Sequence, residues 1–245
     1  MAYRWAGLAK AGLALALASL PLAPACAEDD DAEREPSPVS LVIFGSMEAG
    51  PQKTFGSLGL KRAIGGGLAQ SGFRLFVKSG ASREPLRRAS PRGTLVKAES
   101  QAMLGYEWRL GSTFVALYAG SDGESVQARG PFGVSTPLTR YGGRIQADLW
   151  SNPVEGMMVQ AGASVSSLNG RVWGRLATGW QIPWNVYLGP EIEGYREKDY
   201  SKLRLGAHLT GLRLLGVEWR LSGGWERSTA RAPQLYASLG AHWLH

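Results

Sequence analysis

The sequence predicts an all-β protein, a transmembrane antiparallel up-and-down β-barrel of about twelve strands that follows a cleaved signal peptide. Three observations carry that expectation: a leader in the order of an export signal, apolar residues at every second position along most of the remaining chain, and an aromatic closing strand. Between Tyr187 and Arg220, for example, Leu203, Leu205, Ala207 and Leu209 alternate with Arg204, Gly206, His208 and Thr210. Successive side chains of a strand point to opposite faces, so this segment has one greasy face and one wet face.

The leader is expected over residues 1–27. Arg4 and Lys10 give it a cationic start, Ala11 to Leu20 an apolar run, and Ala25-Cys26-Ala27 the small residues of a cleavage site. The run is about half of the ~20 residues a spanning helix requires, and it stops at Pro21. Cys26 is the only cysteine, so cleavage after Ala27 leaves no thiol for disulfide, zinc-thiolate or nucleophile chemistry. Residues 28–39 open with six acids against Arg34 and read as a disordered acidic segment. From Pro36 onward the chain carries +10, against +7 for the whole. For an exported protein, that excess points to anionic lipid headgroups or lipopolysaccharide rather than to nucleic acid.

Residues 40–245 form the expected barrel. The alternation places strands near 40–49, 54–63, 71–80, 95–109, 112–121, 139–151, 155–167, 171–182, 184–195, 200–211, 214–226 and 233–244; ten to fourteen strands fit the same pattern. An even number leaves both barrel ends in the periplasm, with long outer loops at Gly80–Thr94, Gly120–Leu138, Tyr195–Asp199 and Arg227–Ala232. Inner turns at Leu110-Gly111, Asn152-Pro153, Pro183 and Arg213 are tight. Two joints depart from that asymmetry: Ile64–Gln70 is long for an inner turn, and Asn169-Gly170 is a tight outer hairpin. The 33 glycines exceed the usual ~7% and suit a crowded lumen, while nine tryptophans suit membrane interfaces. A secreted β-sandwich alternates likewise, but strands near the ~9–11 residues of a tilted crossing favour the membrane barrel. In the last strand Ser238, Gly240 and Trp243 follow the polar, glycine, aromatic order of many outer-membrane barrels; His245 departs from it.

Several segments resemble a known family. These are Tyr187-Leu-Gly-Pro-Glu191, Leu203-Arg-Leu-Gly-Ala-His-Leu-Thr-Gly-Leu212, Glu218-Trp-Arg-Leu-Ser-Gly-Gly-Trp225, Tyr236-Ala-Ser-Leu-Gly240, Tyr141-Gly-Gly-Arg-Ile-Gln-Ala-Asp-Leu-Trp150 and Phe44-Gly-Ser-Met-Glu48. In order and spacing they are similar to the cellulose biosynthesis protein BcsS family. The resemblance implies an exported outer-membrane protein tied to bacterial cellulose production, with cellulose or the synthase secretion complex as partner. It implies no catalytic mechanism and no cofactor.

The wet face carries the candidate chemistry. Arg144 and Asp148, Arg171 and Arg175, Glu191 and Glu193, Arg204 and His208, and Glu218 and Arg220 share the inward side of their strands. Charges enclosed in a narrow lumen need partners, so a salt-bridged plug is expected ahead of an open polar track, the property of a small porin. Glu191, Glu193, Arg204, His208, Glu218, Arg144, Asp148 and Arg175 are the candidate lumen or ligand contacts. Glu191 leads them, because Pro190 within a strand predicts a bulge that re-aims its neighbour. His208, Thr210 and Glu218 imitate the base, hydroxyl and acid of a lipid acyl hydrolase, but no Gly-x-Ser-x-Gly elbow exists in the chain. Arg83, Arg87, Arg88 and Arg92 in one outer loop suit lipopolysaccharide phosphates. Neutral cellulose needs aromatic platforms instead, for which Trp173, Trp180 and Trp184 compete with the membrane girdle. Three histidines, two of them in the last four residues, make no metal-ligand cluster.

Overall fold

The computed structural model describes residues 39–50, 53–85, 93–130 and 133–245. The expected leader and all but the last residue of the acidic segment lie outside them. The strands run in sequence order as β1 (Leu41–Ala49), β2 (Thr54–Ile64), β3 (Gly72–Pro85), β4 (Thr94–Leu110), β5 (Thr113–Gly130), β6 (Gly133–Val134) and β7 (Leu138–Ser151). They continue as β8 (Met157–Ser166), β9 (Arg171–Ile182), β10 (Val186–Glu197), β11 (Tyr200–Leu214), β12 (Val217–Ser228) and β13 (Arg231–Leu244). The two-residue β6 only folds back on the end of β5. The other twelve close a ring in which each strand is antiparallel to the next, and β13 returns to β1 in a register from Val42↔Leu244 to Ala49↔Ala237.

Alternation decides which side chain goes where. Leu58, Leu205 and Trp225 stand 52–68% exposed on the outer wall, whereas Arg74 and Glu107, on the inward parity, are fully buried. The inversion of the usual polar-out order is what a barrel immersed in lipid requires. On the outer wall Phe73 meets Tyr106 edge to face and Tyr106 meets Trp108 at a tilt, with ring centroids 5.1 and 4.9 Å apart, next to the end that carries both barrel termini. Trp180, Trp184 and Trp243 are exposed toward the same end, while Tyr141 and Trp225 are exposed toward the other. Tryptophan and tyrosine favour the headgroup level, so the two groups mark the two membrane interfaces. The end holding both termini corresponds to the periplasmic end of such barrels and is called the near end below.

Two expectations need correction. The outer loops are shorter than predicted, because β3 runs on to Pro85 and β4 and β5 stay paired up to Thr94↔Arg129. Gly120-Ser-Asp-Gly123 looks like a turn, yet continued pairing satisfies every backbone donor there and extends the hairpin beyond the predicted Ser121. The second correction concerns Pro190. The ladder of β10 with β11 runs through Pro190↔Ala207 without a shift, and that with β9 keeps one register on either side, from Leu188↔Trp180 to Glu191↔Ala177. The bulge lies instead in β11, between Thr210 and Leu212, where Gly211 takes the left-handed φ of 94°.

The long inner joint has a reason. Leu68 turns inward and is buried with Val42 and Ala63, and its N–H donates to the Val39 carbonyl at 2.8 Å. The Arg74 guanidinium donates to the Gln70 carbonyl, and the Arg109 guanidinium to the Leu68 carbonyl at 2.9 Å. The segment is therefore folded into the near mouth rather than trailing from it. The tight outer joint also holds, with Asn169 and Gly170 both left-handed at φ 53° and 59°.

Candidate functional site in the lumen

Three layers of charge fill the interior. In the layer toward the far end, Lys97 of β4 sits 2.7 Å from Glu124, 3.2 Å from Glu99 and 3.9 Å from Glu197 of β10. Arg171 of β9 is hydrogen-bonded to Glu124 of β5 and to Glu197 at 3.1 Å, and lies 3.5 Å from Glu99. These contacts join strands on opposite sides of the ring. Beside them, Arg204 pairs with Glu48, with Glu226 at 2.6 Å and with Glu193 at 3.3 Å, while its guanidinium lies 4.6 Å from the Tyr236 ring centre. Lys53, in the joint between β1 and β2, is held below the ordinary lysine range mainly by burial.

The middle layer centres on Glu191. One carboxylate oxygen accepts from Arg175 at 2.7 Å, Arg220 at 2.8 Å and Ser222 at 3.3 Å, and the other from the Tyr236 hydroxyl at 2.9 Å. Arg220 also reaches across the ring to Gln160 of β8 at 2.6 Å. Both oxygens of Glu191 are thus engaged by the protein's own donors. In the near layer, Glu107 accepts a hydrogen bond from Lys61 at 3.1 Å and is ion-paired with Arg109 at 3.1 Å and Arg74 at 3.8 Å.

His208 is buried between β9 and β11. Its Nε2 lies 3.0 Å from the Thr178 carbonyl oxygen, which only accepts, so Nε2 carries the proton. Nδ1 is then the acceptor of the Thr210 hydroxyl at 2.9 Å. Glu218 does not complete a triad: it lies opposite Arg213 at the strand ends, 3.8 Å from that guanidinium, while Thr210 faces Arg220.

The remaining predicted contacts are looser. Arg144 lies 3.5 Å from Asp122 and donates to Ser164 at 2.6 Å; among the described residues Asp148 accepts only from Gln146, at 2.9 Å. Arg83 is exposed on the outer wall at the far end of β3, and Arg87, Arg88 and Arg92 lie outside the described residues. Of the three tryptophans, Trp180 and Trp184 are outside, 56% and 88% exposed, whereas Trp173 has the inward parity of Arg171 and Arg175.

Several partners were not legible as such. Glu124 and Asp122 fall in the stretch that reads as an outer loop. Glu226 lies directly opposite Arg204 on the neighbouring strand, whereas Glu48 and Tyr236 reach their partners across two intervening strands, for which there is no sequence signal. The available clue was parity, since all five share the inward phase of their strands.

Among solved structures the barrel is similar to the translocator domain of the autotransporter NalP from Neisseria meningitidis, with a TM-score of 0.53 at 10% identity over 86% of this chain and 90% of that one. It also matches the β domain of the Bordetella autotransporter BrkA (TM-score 0.49, 11% identity, 85% of this chain, 100% of that) and the KdgM porin (0.49, 12%, 82% and 98%). At such identities the likeness is one of fold. A search of curated proteins gives no match. The family model for cellulose biosynthesis protein BcsS matches residues 42–244, the whole barrel but for its edges, and the chain therefore belongs to the BcsS family of cellulose biosynthesis proteins.

Proposed function

We propose that this protein is a non-catalytic accessory of cellulose production that resides in the outer membrane, while the polymer leaves the cell by another, larger channel. The observation that carries the reading is the crossing of the lumen by ion pairs. Lys97 and Arg171 link β4 and β5 to β9 and β10, and a hydrogen bond from Arg220 to the neutral Gln160 adds a link from β12 to β8. Such pairs rigidify an interior whose charges are otherwise costly to enclose, and they leave little room for a free-running polymer. Removing one partner of such a pair is expensive, so the network is an obstacle rather than a lining.

The same geometry argues against an acyl hydrolase. The proton on His208 Nε2 is committed to a backbone carbonyl, and the nearest acid of the sequence pattern, Glu218, is paired elsewhere. Lipopolysaccharide is the second partner in this reading. Arg83, Arg196 and Arg227 stand on or beside the outer wall at the far end of their strands, where phosphates of the outer leaflet lie within reach of a guanidinium.

Deleting the gene should lower cellulose output under conditions where the polymer is normally made, with synthase activity of isolated inner membranes unchanged. Equal cellulose from deletion and parent strains overturns the accessory role. Lost synthase activity in the isolated membranes overturns the placement of the defect outside synthesis.

A further inference from the structure

Most lumen charges are paired, and several of the less satisfied ones lie on β3, β5 and β7. Lys78 of β3 faces inward, half-buried, with no ion pair among the described residues; the charges that act on it are those of Arg144, Glu99, Glu193 and Asp148. Asp148 has a single side-chain donor, Gln146, and no cation within ion-pair distance among the described residues. Besides its bond to Ser164, Arg144 is held to Asp122 only at 3.5 Å; among the described residues its Nε is without a partner, and both carboxylate oxygens of the buried Asp122 lack a hydrogen bond. The opposite wall is different. There Glu191 and Arg204 each have three or more partners.

Trp173 lies on the under-paired side. In the register, Asp148 faces Gly162 and Gly162 faces Arg175, so the indole two residues from Arg175 leans over a strand position that has no side chain. A Cβ built on Gly162 would sit 3.1–3.2 Å from two carbons of the six-membered ring of Trp173 and 3.1 Å from Asp148 Oδ1. The edge of the six-membered ring thus reaches into the space that glycine leaves, beside a carboxylate oxygen. The indole nitrogen has no hydrogen-bond partner among the described residues.

A flat aromatic face next to hydrogen-bonding groups in want of partners is the chemistry that recognises a sugar. The axial C–H face of a pyranose covers the ring, and its equatorial hydroxyls both donate and accept. A phosphate or a lipid chain would answer only half of it, because the free groups are of both signs and the platform is apolar. An all-equatorial β-glucan is the sugar whose two faces are most uniformly C–H. We infer that the Trp173 recess, with Asp148, Gln146, Lys78 and Arg144 around it, binds a short β-1,4-glucan segment. This rests on the reading of the protein as an accessory of cellulose production and assigns that role a contact: the barrel holds the polymer.

The test uses the full barrel purified in detergent, with folding checked by heat-modifiable gel mobility, and cellohexaose as probe against maltohexaose. Calorimetric titration should show saturable binding of cellohexaose over maltohexaose. Trp173→Ala should weaken it by about tenfold or more, as truncated aromatic anchors do, and Trp180→Ala on the outer wall should leave it unchanged. If Trp173→Ala fails to fold, Trp173→Phe, Asp148→Asn and Lys78→Met take its place, each expected to weaken binding. A folded wild-type barrel that ignores cellohexaose, or folded recess variants that all bind as well as wild type, overturns the inference. Complementation separates this from the broader reading. If the wild-type gene restores cellulose to a deletion strain and the Trp173→Ala gene restores it equally, the recess is dispensable while the accessory role stands.

Discussion

Pro190 removes a backbone donor that His208 replaces. The register of β9 and β10 sets Pro190 opposite Thr178, and a proline has no N–H to give to that carbonyl. His208, paired with Gly189 on the neighbouring strand, passes over the glycine and donates Nε2–H to Thr178 at 3.0 Å. A Cβ on Gly189 would overlap the same carbonyl oxygen, so glycine is required for the approach. The residues that in sequence look like a bulge and a catalytic base are one repair of a β-ladder.

His208→Ala should therefore destabilise the barrel by about 1–3 kcal/mol, the cost of a buried carbonyl left unpaired. In a Pro190→Ala background the ladder regains its own donor, and the same histidine substitution should cost much less. Urea unfolding of the four proteins in lipid vesicles, read as a double-mutant cycle, checks it. Additive effects would mean that the proline and histidine are independent.

Glu191 balances Arg175 and Arg220 at once, with Ser222 and Tyr236 completing its shell. Glu191→Ala strands two guanidinium groups in the interior and is expected to cost about 3–5 kcal/mol. Glu191→Gln keeps the shape and should cost less. The same vesicle unfolding measurement orders the three proteins, and a Gln variant as damaged as Ala would show that volume, rather than hydrogen bonding, matters there.

The struts from Lys97 and Arg171 make a prediction about conduction. In planar bilayers the wild-type barrel should give no steady ion current, whereas the double variant Lys97→Ala with Arg171→Ala should give discrete conductance steps, since it removes both cations that tie β4 and β5 to β9 and β10. Open-channel current from the wild type would favour a small porin instead.

Much of the fold was legible because a membrane wall imposes a strict period of two. Leu203, Leu205 and Ala207 face outward and Arg204 and His208 inward, as parity requires, and the twelve strands lie where the alternation places them. Local composition misled where pairing outranked it. Gly120 to Gly123 reads as a turn, yet cross-strand hydrogen bonds carry β5 through it to Gly130. Pro190 reads as a kink, but a side-chain donor from the neighbouring β11 serves the stranded carbonyl and the register is kept. Partners such as Glu48 and Arg204 are 156 residues apart, and only closure of β13 on β1 brings them together. The tryptophans divide by the same rule: Trp173 shares the inward parity of Arg171 and Arg175, and Trp180 has the opposite one.

The segment from Gly65 to Ser71, tucked into the near mouth, makes the two ends of the tube unequal. Its carbonyls are gripped by Arg74 and Arg109, and Leu68 is anchored both by packing and through the Val39 carbonyl. Opening the outer end means parting ion pairs such as those of Lys97 and Arg171, whereas opening the inner end means unlatching main chain at several points together. The near mouth is thus the firmer seal, and the tube is a cup closed at its base by its own backbone rather than a pipe.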